Sequence, residues 1–236
     1  MKRHIRFICA AALLAAACFH GGSAAASPAS SGDVRNDHSW TMPRTTVIID
    51  VGHGGIDGGT SHGDLMEKDI NLSIARKLYL LLRSQGIQAA MNRKGDYALS
   101  DENRWHRTSS RHRRDLSQRR ALTQEIESEL LVSLHVNWAR NSAKRGPLVL
   151  HQPTGESALL AFCLQDALNR QQHTFALPKT GGTFYMLRRV EQPAVIVEMG
   201  FISNASDRRM LTDEAGQKQV AEAIASGIRQ YKWIAR

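Results

Sequence analysis

Apolar and polar positions fall in blocks along the chain, and the blocks switch between two periods. Val47-Ile48-Ile49-Asp50 is a short β-branched run stopped by Gly52, which predicts a buried strand. Over residues 67–85 the period becomes helical. Ile70, Ile74, Leu78 and Leu82 share one face with Ala75 and Leu81, and Gly86 supplies the stop. Further strands are predicted at 87–91, 130–134, 148–151 and 194–197, and further helices at 116–127, 156–169 and 213–232. Thr183-Phe184-Tyr185-Met186-Leu187 follows Gly181-Gly182 and reads as an edge strand able to wall a groove. There is no internal repeat. Strands that alternate with helices from end to end predict an α/β class single domain: an open, mostly parallel twisted sheet with helices on both faces.

The N-terminal pattern is different. Lys2, Arg3 and Arg6 precede an unbroken apolar run over residues 7–19. As a helix that run spans roughly 20 Å, short of the ~30 Å hydrocarbon core of a bilayer. The expectation is an export leader over residues 1–26 and no stable membrane span, with Ala24-Ala25-Ala26 as a small-residue cleavage site. Ala15-Ala16-Ala17-Cys18 offers a poorer, lipoprotein-like alternative, and an uncleaved leader is a third. Residues 27–44, which open on a Ser-, Gly- and Asp/Asn-containing stretch, read as a linker, and 45–236 as the folded domain.

Composition then narrows the classes. Hydrophobic residues make up 42% and charged residues 22%, which excludes a disordered or collagen-like chain. Cys9 and Cys18 lie in the leader, so Cys163 is left without a disulfide partner in the mature chain and reads as a buried structural thiol. The net charge of +9 is concentrated in part over 104–120, a stretch with Arg104, Arg107, Arg111, Arg113, Arg114, Arg119 and Arg120 beside His106 and His112. Nucleic acid is a poor fit, because only Trp105 interrupts the charges and the leader exports the chain. The expected role is to hold an anionic extracellular polymer or a protein partner rather than to take part in chemistry, unless it is simply a solvated face.

Candidate chemistry lies just past the ends of the apolar runs. His53 follows the first strand in Asp50-Val51-Gly52-His53-Gly54-Gly55, His135 ends Leu131-Val132-Ser133-Leu134-His135, and Glu198 ends Ala194-Val195-Ile196-Val197-Glu198. In an open parallel sheet such positions share the edge where ligands bind. Glu67 opens the first helix, and the glycine-rich loop before it can fold it back to the same edge. Two imidazoles and a carboxylate suit a Zn²⁺ that keeps a fourth position open, and a second carboxylate suits a general base. Each residue also has a plainer reading: a hydrogen-bonded histidine, or a glutamate favoured at a helix N-terminus. Glu198 is the hardest to read that way, since a carboxylate behind four apolar residues is costly unless paired.

These residues carry a resemblance. Asp50-Val51-Gly52-His53-Gly54-Gly55, Glu67-Lys68-Asp69, Ser133-Leu134-His135-Val136-Asn137 and Val197-Glu198-Met199-Gly200-Phe201-Ile202-Ser203-Asn204 resemble, in order, four signatures of zinc-dependent N-acetylmuramoyl-L-alanine amidases. The length and the Arg-rich segment are similar to the germination-specific, spore-cortex subgroup. The resemblance implies a Zn²⁺ site on His53, Glu67 and His135. It implies Glu198 as the catalytic carboxylate, taking a proton from the attacking water and passing it to the leaving amine. The implied substrate is peptidoglycan, cut between the muramic acid lactyl group and L-Ala, and an activating protein partner is compatible with it. Val51 stands where the family usually has Pro, and Trp138 where it usually has Ala, beside the site. The same donors would serve a zinc peptidase or deacetylase on another wall bond, whereas a silent wall-binding module has no use for a second buried carboxylate. His62 is the rival ligand. His151 reads as a surface residue of an edge strand, and Asn137 either orients substrate or makes a structural hydrogen bond.

Overall fold

In the computed structural model the described residues are 45–101 and 106–235; the expected leader and linker, together with Arg104 and Trp105, lie outside them. In chain order the elements are β1 (Thr45–Val51), β2 (Ser61–His62), β3 (Leu65–Met66), α1 (Glu67–Ser84), β4 (Ala89–Met91), a 3-10 turn (Leu99–Asp101) and α2 (Arg111–Glu125). There follow β5 (Ser128–Asn137), β6 (Leu148–His151), α3 (Gly155–Gln172), β7 (Lys179–Thr180), α4 (Tyr185–Arg189), β8 (Ala194–Phe201), α5 (Ala205–Thr212) and α6 (Glu214–Ile234). The main sheet has six strands in the order β4-β1-β5-β8-β6-β7. Its neighbours run parallel except β6 against β8. This is the expected α/β architecture with a mostly parallel sheet.

Strand alternation sorts the side chains onto two faces. Val47, Ile49, Val51, Leu130, Val132, Leu134, Val195 and Val197 join a core with α1, α3 and α6, where Ile74, Leu78, Leu164 and Ile224 are fully buried. The opposite face offers Ile48, Leu131 and Ile196 to Met186 and Leu187 of α4, with Leu116 of α2 packed against them. The same alternation puts Asp50, Ser133, His135 and Glu198 on that second face, towards the C-terminal ends of the strands. One face of the sheet is therefore a thick apolar core, and the other carries the polar groups beneath two thinner helices.

The structure departs from the sequence expectations at several places. Helix α2 starts at Arg111 rather than at 116, because the Ser110 side chain caps it by accepting from the Arg113 amide. The helix buries Asp115 and Arg119, so apolar periodicity does not mark its start. The segment 183–187 is not an edge strand. Phe184 N donates to the Gly181 carbonyl, and Arg188 N then donates to the Phe184 carbonyl, winding the chain into α4. His151 is not at a surface edge: β6 lies between β8 and β7, and His151 is only 9% exposed, donating from Nδ1 to the Gln152 carbonyl. A separate helix, α5, precedes the closing one, capped by Asn204 through the Ser206 and Asp207 amides. Among the described residues no helix is long and apolar enough to cross a membrane.

Helices α3 and α6 cross closely at Gly227, where an added Cβ would lie 2.8 Å from the Leu164 Cα. Gly227→Val is expected to destabilise the fold by about 1–3 kcal/mol through overpacking. Gly182→Val, where nothing stands within 4 Å of an added Cβ, should stay within about 0.5 kcal/mol of wild type in urea melts. Equal midpoints for the two variants would refute the close crossing.

Candidate metal centre

Strands β1, β5 and β8 run parallel and end at one edge of the sheet, so the residues that follow or close them converge there. Register pairs Val51 with Leu134 and His135 with Glu198. His53 stands just past the end of β1. Glu67 is the first residue of α1 and is brought to the same edge by the β2–β3 hairpin, with its amide donating to the Thr60 carbonyl. Its side chain is buried. Oε1 lies 3.2 Å from His53 Nε2 and 2.9 Å from His135 Nδ1. Thr60 N donates to Oε2 at 2.8 Å and Val136 N to Oε1 at 3.0 Å, so backbone amides hold the carboxylate in place. One donor atom each from His53, Glu67 and His135 lies within 4.8 Å of the others.

Glycine makes this approach possible. A Cβ on Gly52 would stand 2.5 Å from His135 Cε1 and 2.7 Å from its Nε2. The Nε2 edge of His135 therefore packs on Gly52, while Nδ1 faces the Glu67 carboxylate. His53 is turned the other way. Its Nδ1 is hydrogen-bonded to Asp57 Oδ2 at 2.8 Å, and Nε2 faces the cluster. A carboxylate behind the ring is the usual way a ligand imidazole is oriented. The His53 backbone has φ 60, a left-handed conformation that costs a residue other than glycine of order 1–3 kcal/mol. That conformation aims the ring back at the sheet edge.

The electrostatics suit a cation. Burial opposes ionisation of Glu67, but the two imidazoles outweigh it and hold the carboxyl well below the usual carboxylate range. Burial likewise opposes charge on His53, and hydrogen bonds to Asp57 and Glu67 overcome it, pushing its pKa up to about 9. Asp57 is drawn down to about 2 by its hydrogen bond to His53. A proton on His53 balances the neighbouring carboxylates here, and a bound cation would take over that balance. Glu198 is different. Burial pushes its carboxyl up against the opposing pull of His135, and its Oε2 has no hydrogen-bond partner. It stands beside the three donors without joining them.

Other predicted residues lie elsewhere. His62 is exposed in β2 and outside the cluster. Asn137 makes structural bonds: its side chain accepts from Trp138 N at 2.7 Å, and its carbonyl accepts from Ile202 N at 2.9 Å. Cys163 is a buried free thiol in α3. The Arg-rich stretch divides. Arg107, Arg111 and Arg113 are exposed, as a surface role requires. Arg119, expected to leave the active site alone, is buried beneath it and bonded to Asp50 and Asp115. Arg119 is drawn inward because Asp50 is buried near the end of β1 and needs a cation.

Asp50, Asp57, Arg93 and Arg119 are the supporting residues that sequence reasoning missed. The charge that closes the first apolar run was the available signal for Asp50 and its partner. Asp57, in a glycine-rich loop, had none. A cleft of about 430 Å³ opens beside His53 and His135, walled by Leu116, Tyr185 and Met186. Trp138 is 54% exposed at the C-terminal end of β5.

A family profile described as N-acetylmuramoyl-L-alanine amidase matches residues 47–230. The chain belongs to the N-acetylmuramoyl-L-alanine amidase family. The amidase is 34% identical over 196 residues to the germination-specific N-acetylmuramoyl-L-alanine amidase of Bacillus subtilis, covering 81% of this chain and 82% of that protein. Among solved structures it is similar to the CwlD amidase of Clostridioides difficile, determined in complex with the GerS lipoprotein. The TM-score is 0.76 at 32% identity, over 81% of this chain and 100% of that one. The catalytic domain of the amidase CwlV from Bacillus (Paenibacillus) polymyxa aligns at TM-score 0.69 and 28% identity, over 80% of this chain and 99% of that one. The family, the fold and the amidase activity therefore agree.

Gly52→Ala tests the packing at the centre of the amidase. Displacing the His135 ring by roughly an ångström should cost about 10²-fold in amidase rate, the usual effect of such a misplacement, with the circular dichroism spectrum unchanged. Wild-type activity in that variant would show that the ring does not need the glycine.

Proposed function

We propose that this amidase is a zinc hydrolase that cuts the amide between the N-acetylmuramic acid lactyl group and L-Ala in peptidoglycan. His53, Glu67 and His135 are its metal ligands and Glu198 its catalytic carboxylate. The observation that carries the reading is the set of three donor atoms within 4.8 Å beside a buried carboxylate oxygen that has no partner. The donor set fits the metal: two imidazoles and one carboxylate match a catalytic zinc with an open position, whereas hard cations prefer oxygen ligands throughout. When bound, Zn²⁺ supplies Lewis acidity, polarising the scissile carbonyl and acidifying water near neutral pH.

The chain's own residues do the rest. Glu198 Oε2 accepts the proton of the attacking water and returns it to the leaving amine. Its burial suits that task, because burial raises the carboxyl's proton affinity and so makes it a better base. Asp57 keeps His53 Nε2 aimed at the cluster, and the Thr60 and Val136 amides keep Glu67 from swinging away. Leu116, Tyr185 and Met186 give the cleft an apolar wall against which the substrate can lie.

The basic residues and short apolar run at the N-terminus support an export leader over 1–26, a linker over 27–44 and a catalytic unit over 45–236, so that the enzyme works on the wall side of the membrane. Similarity to the germination-specific relative supports the spore cortex as the substrate, in sporulation or germination. The lipoprotein held by the similar CwlD structure supports an activating protein partner. Exposed Arg111 and Arg113 support contact with an anionic wall. Replacing both with Ser should weaken binding to isolated wall, more at low salt where screening is least, and binding unchanged at every salt concentration would dismiss that surface.

The two carboxylates are told apart by zinc content. Glu198→Gln should fold, keep about one zinc per chain and bind peptidoglycan, yet release L-Ala amino termini about 10²–10⁴-fold more slowly. Glu67→Gln should lose zinc as well as rate, as should His53→Ala and His135→Ala. A Glu198→Gln protein that cleaves at the wild-type rate defeats the mechanism. One that is inactive for want of zinc makes Glu198 a ligand instead.

A further inference from the structure

We infer that Arg119 is a positioning residue for the metal centre: from α2 it holds the backbone of His53, and so sets where that ligand's ring can stand. The inference rests on the reading of His53 as a ligand. The guanidinium makes four hydrogen bonds from a buried position. Nε donates to Asp115 Oδ2 at 2.5 Å, Nη1 to Asp50 Oδ1 at 2.7 Å and to the Val51 carbonyl at 2.7 Å, and Nη2 to the His53 carbonyl at 2.9 Å. Asp50 is itself fixed by Ser133 Oγ at 2.5 Å and Asn92 Nδ2 at 2.5 Å. The fork is thus anchored on two carboxylates behind it and reaches the ligand's own backbone in front.

The need for such a clamp follows from the strand end. The Gly52 amide makes the last bond to β5, donating to the Leu134 carbonyl at 3.1 Å, and from there on the carbonyls of Gly52 and His53 are met by side chains. Arg93 takes Gly52, donating from Nη2 at 3.1 Å, and Arg119 takes His53. The ring's Nδ1 is supported by Asp57, but Asp57 rides on the same loop: Gly54 N donates to the Asp57 carbonyl at 2.9 Å and Asp57 N to the Gly54 carbonyl at 3.1 Å. A contact within the loop cannot locate the loop against β5, where His135 stands. Arg119 can, because its counter-ions belong to β1 and α2. It also opposes relaxation of His53 from its left-handed conformation, φ 60. Lysine could neutralise Asp50 but has no planar fork to hold a carboxylate and the loop carbonyl together.

The test uses the full chain, with zinc affinity measured per folded molecule by chelator competition, beside kcat at saturating zinc and the melting of zinc-stripped protein. Arg119→Lys should bind zinc roughly 10–100-fold more weakly, the range typical of lost support behind a ligand, and its kcat should fall even when loaded. Asp115→Asn, which loosens only the Nε anchor, should fall between Arg119→Lys and wild type in zinc affinity. A merely structural arginine would lower the melting of the stripped protein and leave zinc affinity per folded molecule unchanged. That result in Arg119→Lys overturns the inference, or in Asp115→Asn should the lysine variant not fold. Wild-type protein that takes up no zinc overturns the ligand reading, and the inference with it, and is recognised by that control alone.

Discussion

Three parallel strands, β1, β5 and β8, end together at one edge of the sheet, and the chemistry of the molecule depends on that shared end. A parallel ladder sets the register of its strands, so side chains far apart in sequence arrive side by side: His135 opposite Glu198, and His53 just past the strand that pairs with His135's own. The same ends leave carbonyls without ladder partners. Those carbonyls, together with a carboxylate at the last inward position of β1, draw in guanidinium groups from outside the sheet. The proposed metal site and the arginines beneath it are two consequences of one geometry.

The sheet is unequal in its two coverings. Its thick face holds the apolar core with α1, α3 and α6, which stabilises the fold without reference to the site. The thin face buries charge: Asp50 against Arg119, and Arg119 against Asp115. Buried ion pairs add little net stability over an apolar packing of the same shape, yet removing one partner typically costs about 3–5 kcal/mol. An arrangement of that kind is better understood as fixing geometry than as holding the fold together. It lies directly under His53, whose carbonyl it holds.

The centre itself combines rigidity with an unsatisfied carboxylate oxygen. Glu67 is held by two backbone amides and faced by two imidazoles, and His53 is held by Asp57. Glu198 Oε2, by contrast, is buried with no partner at all. A polar atom in that state is costly in a resting protein, and its place beside three converging donors is what the proposed proton-accepting role would use.

Much of this was legible in the sequence. Strand periods, the apolar face of α1 and the four ordered signatures pointed to the α/β sheet and to His53, Glu67, His135 and Glu198, because short-range pattern and residue chemistry are carried by the chain itself. The failures share a cause. Residues 183–187 suggest a strand and form helix α4, because a short apolar run has no decisive period. His151 suggests a surface position and is buried, because strand order is not local. Arg119 suggests a surface charge and is buried, because its partner Asp50 lies in a distant strand. Sequence alone determined which groups could do chemistry and which strands would be buried, since those follow from side-chain type and spacing. Only the tertiary structure decided which charges are buried together, which imidazole nitrogen faces the cluster and which arginine holds His53, since each depends on the register and close approach of segments that the sequence keeps apart.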